Sequence, residues 1–337
     1  MAWPELGEFV SDNPLERFKL DGRFRLQQQV GFGAQGTVYR AIDESSDEVV
    51  AVKLYDALSG SGDVLALDEV AHEARVNAEA DVDTLVRIRH HGVLDRGTRQ
   101  LGYIVMDYLH GETLRDLMEA RSASFEVRDV MELMREVLRA VGALHDRGYV
   151  HSDLKPENIF LLESSPSEGP AVRLFDLGGV FKAGSAPRGP RRGTPIYVAP
   201  EIARRDDGVG TASDVYSLGI ILFEMLVGRA PVDALATAEQ IVSQHVFGQL
   251  QDLPDVLENL PVGSLYRRAT ARGPLDRFST AGEMLQALVS MRPLSSQRLP
   301  AHSPFSSPSV DDSVHGEFQK FDPAQIAGTP PTSNDDG

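Results

Sequence analysis

The chain has no cysteine among its 337 residues. Disulfides, zinc–thiolate centres and iron–sulfur clusters are therefore excluded. Lysine is scarce, present only as Lys19, Lys53, Lys155, Lys182 and Lys320 against many arginines. Each lysine invites scrutiny, because arginine serves equally well for plain surface charge. Long hydrophobic runs are missing too. The longest, around Leu218 to Val227, is interrupted by Glu224 and falls short of the roughly 20 residues a membrane span needs. No basic-then-apolar leader opens the chain, so the expectation is a cytoplasmic protein with no membrane span. Positive charge is in deficit: the formal net charge of −17 disfavours nucleic acid or anionic membranes as general partners. The nine histidines do not cluster at metal-ligand spacing, and the adjacent His90 and His91 cannot share one helical face.

What is present suits a globular protein. Hydrophobic residues make up 42% of the chain, enough for a sizeable core in one large or two ordinary domains. From Arg23 the apolar residues alternate through Phe24 and Leu26 to Val30, a strand pattern that runs into Gly31-Phe32-Gly33-Ala34-Gln35-Gly36. Three glycines let backbone N–H groups approach a phosphate with no Cβ in the way. The rival reading, a dinucleotide-binding turn, requires a helix next. Here Thr37 to Ile42 is β-type, Asp43 to Asp47 is a polar turn, and Val49 to Leu54 is another strand. A strand–glycine loop–strand hairpin is the better description.

Lys53 lies inside that apolar strand. Burying its ammonium unpaired costs on the order of several kcal/mol, so it needs a carboxylate or phosphate. Asp68 to Ala80 read as a helix with Glu69 and Glu73 one turn apart on one face, and either could reach Lys53. Residues 102–109 read as a strand with a short connector, and a helix starts near Gly111 or Thr113. Residues 127–147 carry a clear helical period through Val130, Leu133, Met134, Val137, Leu138, Val141 and Leu144. That helix delivers the chain to His151-Ser152-Asp153-Leu154-Lys155-Pro156-Glu157-Asn158. Further on, Ser213 to Val227 form an apolar helix with Asp214 placed to cap its start. Helices near 237–248, 255–269 and 279–291 complete the pattern. From Pro293 the composition turns to Ser, Pro, Asp and Gly, which predicts a disordered tail over 293–337.

The glycine loop, Ala51-Val52-Lys53, the 151–158 stretch, Asp176-Leu177-Gly178 and Ala199-Pro200-Glu201 follow one another in order. In this the chain resembles the bacterial eukaryotic-like (Hanks-type) protein Ser/Thr kinases over residues 23–292. The resemblance implies an α+β, bilobal protein-kinase-like fold. A small antiparallel β-rich lobe would span about 23–106 and a larger, mainly α-helical lobe about 110–292, with residues 1–22 as an N-terminal extension. It implies ATP and Mg²⁺ as cofactors, with Mn²⁺ as an alternative metal, and protein substrates as partners. Gly31, Phe32, Gly33, Gly36, Val38, Ala51, Lys53, Met106, Asp107 and Leu109 would surround ATP. Lys53 would bind the α/β-phosphates while paired with Glu73, preferred over Glu69 because its distance to the next strand at Leu85-Val86 suits the family. Asn158 and Asp176 would hold the metal. Asp153 would orient and deprotonate the substrate hydroxyl, and Lys155 would stabilise the γ-phosphate charge. Thr194 belongs to a peptide platform; Asp214, Glu201 and Arg277 have structural roles, the first anchoring the catalytic loop and the other two pairing.

Two departures stand out. Leu177 replaces the usual phenylalanine. Ser152 stands where such loops usually carry arginine, and so cannot bind a phosphate on the activation segment, a contact worth roughly 1.5–3 kcal/mol. The expectation is activity independent of phosphorylation of that segment. A basic run of Lys182, Arg188, Arg191 and Arg192 suggests acidic substrate peptides. The competing reading is a pseudokinase or scaffold that binds nucleotide without transfer.

Overall fold

The computed structural model describes residues 19–33, 36–55, 63–95, 100–121, 125–163, 171–185, 194–204, 206 and 209–291. The expected tail, and most of the N-terminal extension, lie outside these residues.

The chain begins with an antiparallel sheet of β1 (Lys19–Leu20), β2 (Phe24–Gly33), β3 (Gly36–Asp43), β4 (Glu48–Tyr55), β5 (Ile88–Asp95) and β6 (Gln100–Asp107), in the order β1-β2-β3-β4-β6-β5. Side chains alternate across a strand, and β4 uses both faces. Val50, Val52 and Leu54 enter a core with Leu20, Phe24, Leu26, Tyr39 and Tyr103. Ala51, Lys53 and Tyr55 point the other way, where Tyr55 packs with Val70 and Ile104 beneath α1 (Asp63–Ala80).

The second lobe holds β7 (Gly111–Thr113), α2 (Leu114–Ala120), α3 (Val127–Asp146), β8 (Tyr149–Val150), β9 (Ile159–Leu162), β10 (Ala171–Leu174), β11 (Phe181–Lys182), α4 (Pro200–Arg204), α5 (Thr211–Val227), α6 (Ala238–Phe247), α7 (Asp255–Glu258), α8 (Pro261–Ala269) and α9 (Ala281–Ser290). The periodic apolar residues of α3 are all buried. Helix α5 is buried on every side from Ser213 to Leu226, as a helix apolar all round must be. Gly228, at φ 78°, ends it in the left-handed conformation that glycine adopts freely. The protein is thus bilobal, a curled antiparallel sheet with one long helix above a helical body.

Local expectations shift in four places. Helix α1 begins at Asp63, ahead of Asp68. Leu85 forms only an isolated bridge to Leu174, and the strand starts at Ile88. The helix expected over 255–269 is two, because α7 ends at Glu258 and Pro261 opens α8, where its missing N–H costs nothing. Asp214 does not cap α5; Gly210 holds that position, and the Asp214 carboxylate turns to the loop described next.

Candidate active site

The stretch 151–158 lies between β8 and β9 and is held from below. Asp214, fully buried, accepts the N–H groups of His151 at 2.7 Å and Ser152 at 2.8 Å. His145 Nε2 lies 2.9 Å from the same carboxylate, and its Nδ1 accepts the N–H of Ala281 at 3.1 Å. Since Nδ1 is an acceptor, the proton sits on Nε2 and is donated to Asp214. Ser152 takes a left-handed φ of 64°, a strained state for a residue with a Cβ. Its hydroxyl donates to the Gly179 carbonyl at 2.7 Å. A Cβ on Gly179 would stand 2.9 Å from that hydroxyl oxygen, so glycine allows the close approach.

Above this floor sit the charged residues. Asp153 Oδ1 accepts the Thr194 N–H at 3.2 Å. Asn158 donates its amide nitrogen to the Asp153 carbonyl at 2.8 Å, which leaves the amide oxygen as the end available to a cation. Lys53 Nζ is 3.2 Å from Asp176 and 3.8 Å from Glu73; Glu69 adds a weaker charge. Asp176 has a left-handed φ of 58°. Burial favours its neutral form, but the ammonium groups of Lys53 and Lys155 outweigh that and hold the carboxyl below the usual range. Lys53 answers in kind. Burial lowers its pKa, the Asp176 and Glu73 charges raise it more, and the net shift is upward.

The glycine hairpin adjoins the Lys53 strand, with Val38 paired to Lys53. Gly31 pairs with Val38, Phe32 with Thr37 and Gly33 with Gly36. Gly36 has φ 142°, and a Cβ there would fall 1.9 Å from the Leu54 carbonyl oxygen, so no other residue fits. Ala51 pairs with Met106. Asp107 spends its carboxylate on Arg89, and half-buried Leu109 follows the end of β6.

Beside the expected Arg277–Glu201 pair, the residues around Tyr197 and β11 are held by groups that sequence reading overlooks. Arg115 on α2 donates to Glu157 at 2.7 Å, to Glu224 at 3.0 Å and to the Tyr197 hydroxyl, which itself donates to Glu224 at 2.7 Å. Burial works against the Arg115 charge, but Tyr197, Glu224 and Glu157 raise its pKa further. Arg277 binds both oxygens of Glu201, at 2.7 and 2.9 Å. On the α1 side, His72 donates from Nε2 to the Val180 carbonyl at 2.6 Å while its Nδ1 accepts from Arg75. Glu79 meets Lys182 at 3.8 Å and the Tyr149 hydroxyl at 2.9 Å. Arg188, Arg191 and Arg192 lie outside the described residues. An arginine early in a short helix or a histidine on a charged one carries no sequence signal that separates it from surface decoration.

Among the described residues no three His, Asp or Glu side chains gather as a metal site, and no helix is long and apolar enough to cross a membrane.

A two-lobed fold with an ammonium–carboxylate pair on the strand next to a glycine hairpin, tied to a loop with Asp and Asn, defines a class. The protein kinase domain family matches residues 24–301, and the chain belongs to it. Within that family it is a serine/threonine protein kinase of the bacterial Hanks type. It is similar to the serine/threonine-protein kinase PknL of Mycobacterium bovis, 33% identical over 297 residues that cover 86% of this chain and 71% of PknL. PknA of Mycobacterium tuberculosis is 29% identical over 278 residues, 81% of this chain and 62% of its own length.

Proposed function

We propose that this kinase transfers the γ-phosphoryl group of Mg-ATP to serine or threonine hydroxyls of proteins, with Asp153 at the reacting hydroxyl. The observation that supports it most is that Lys53 meets Asp176 and Asn158 meets Asp153, on segments tied together by the Phe175 N–H to Asn158 carbonyl bond, with the glycine hairpin paired to the Lys53 strand. A hydroxyl beside Asp153 is oriented by the carboxylate oxygen that Thr194 leaves free and gives its proton there. Lys155 brings positive charge to the phosphate being moved, and Lys53 brings it to the phosphates left behind. Glu73 and Asp176 keep Lys53 extended.

The residues fit a hard divalent ion. Magnesium takes one or two protein oxygens and completes its octahedron with water and phosphate, and Asp176 and Asn158 supply one carboxylate and one amide oxygen. When bound, the ion neutralises charge on the phosphates.

We also read the activation segment as set without a phosphate. Gly179, Val180 and Lys182 already have partners in Ser152, His72 and Glu79, so an added charge is not needed to fasten its start. Lys182 together with Arg188, Arg191 and Arg192 favours acidic peptides; a peptide array without that bias rejects the preference. The reading places catalysis in the cytoplasm, where ATP is held.

Incubation with labelled ATP and magnesium, wild type beside Asp153→Ala, tests the core of this. Phosphoserine or phosphothreonine in the first and none in the second is the expected result. Nucleotide binding with no transfer by the wild type would point to the scaffold reading instead.

A further inference from the structure

Tyr55 is two residues beyond Lys53 on β4 and so shares its face of the sheet. Its side chain is 2% exposed. The ring lies beside the lysine, with Nζ 4.7 Å from the ring centroid, within the range of a cation–π contact. The hydroxyl donates to Glu73 Oε2, the same oxygen that stands 3.8 Å from Lys53 Nζ. Burial, with the charges of Glu73 and Asp176, holds the phenol protonated, so it acts as a donor to the carboxylate.

The distances rank the partners. Lys53 is closer to Asp176, at 3.2 Å, than to Glu73. Glu73 therefore has its direct hydrogen bond from Tyr55, and the lysine is a looser neighbour. One ammonium faces two buried carboxylates here, and a second neutral donor on Glu73 takes up part of the surplus negative charge without adding a cation.

We propose that Tyr55 is a positioning residue for phosphoryl transfer: its hydroxyl fixes the Glu73 carboxylate, and its ring the Lys53 ammonium, in the register that meets ATP. The inference rests on the kinase reading above. It predicts that Tyr55 acts through Glu73 on the ATP side of the reaction and leaves the peptide side alone.

The test is a double-mutant cycle with ATP and peptide varied separately in wild type, Tyr55→Phe, Glu73→Gln and the double variant. Tyr55→Phe should raise the KM for ATP, or lower kcat at saturating ATP, by about fivefold with the KM for peptide unchanged. In the Glu73→Gln background the same change should add less than about twofold. Single-site replacement of Tyr55 by para-aminophenylalanine, which keeps the ring and a donor, should restore the wild-type ATP parameters; it also carries the test if Tyr55→Phe does not fold. Wild-type ATP constants in Tyr55→Phe, equal shifts in both Michaelis constants, full multiplicativity with Glu73→Gln, or failure of the replacement to restore would each overturn the proposal. A wild type that transfers no phosphate overturns the kinase reading first, and this inference with it.

Discussion

The Ser152 hydroxyl donates to the Gly179 carbonyl across 2.7 Å, joining the 151–158 loop to the residue that follows Asp176-Leu177-Gly178. An arginine at position 152 would work by charge on a distant phosphate; the serine works by contact. A neutral hydrogen bond contributes about 0.5–1.5 kcal/mol. Ser152→Ala should therefore lower kcat by roughly twofold to tenfold with little change in either Michaelis constant. Steady-state kinetics decide it. Ser185, whose hydroxyl only returns to the Lys182 carbonyl, should tolerate alanine, and phosphatase treatment should leave the rate intact.

Arg277 and Glu201 form a two-point ion pair with almost no solvent contact. Ser213 adds a third bond to the glutamate at 2.7 Å. Removing one partner strands a buried charge, at a cost of about 3–5 kcal/mol. Arg277→Met should lose that much in urea unfolding. The Glu201→Met, Arg277→Met pair should lose less than the sum of the two single changes, and simple additivity would show that the residues are not coupled.

His245 on α6 is buried, accepts the Tyr216 hydroxyl at Nδ1 across 2.7 Å, and turns Nε2 toward the Pro195–Ile196 backbone without a bond of ordinary geometry. Burial pushes its pKa down from 6.5 to about 4. The unfolded chain then binds the extra proton first, so stability is full above pH 6.5 and falls as pH drops toward 4. The loss is about 3 kcal/mol. Urea midpoints from pH 7 to 4, wild type minus His245→Gln, should show this slope; a flat difference contradicts it.

Arg115 on α2 joins Glu157 of the 151–158 loop, Glu224 of α5 and Tyr197, which follows Thr194. Its fork cannot be copied by an ammonium. Arg115→Lys and Arg115→Met should both raise the KM for peptide by about threefold or more while the KM for ATP stays near wild type. Equal effects on both would argue for a general loss of structure.

Much of this site is legible in sequence because phosphate chemistry restricts which residues can serve. The resemblance asks for Lys53, Asp153, Asn158 and Asp176 as those types in that order, and the fold sets Lys53 beside Asp176 and Asn158 beside Asp153. Helix α3 is legible because its apolar residues repeat with the helical period. Other features depend on contacts far away in the chain. Asp214 carries two expectations: the cap fails because Gly210 holds that position, whereas the anchoring role implied by the resemblance agrees with its bonds to His151 and Ser152, and only its contact with His145 has no sequence signal. Tyr55 looks like any core aromatic on a strand; only the fold brings Glu73 to its hydroxyl. Strand β5 alternates in burial from Ile88 to Leu94, but its residues Arg89, His90, His91 and Gly92 are not apolar, so the alternation leaves no hydrophobic pattern to read.

His145 receives the N–H of Ala281 before it can present a settled proton to Asp214, and these two residues are 136 positions apart. A ribosome makes the chain from its amino end. Every residue of the 151–158 loop therefore emerges well ahead of the group that completes its foundation. The glycine hairpin and the bonds from Asp214 to the loop need nothing from α9, but the His145 contact beneath Asp214 gains its second partner only once α9 has arrived. A polypeptide ended before α9 would lack the Ala281 N–H that sets the His145 tautomer, and with it one support of the carboxylate that holds His151 and Ser152.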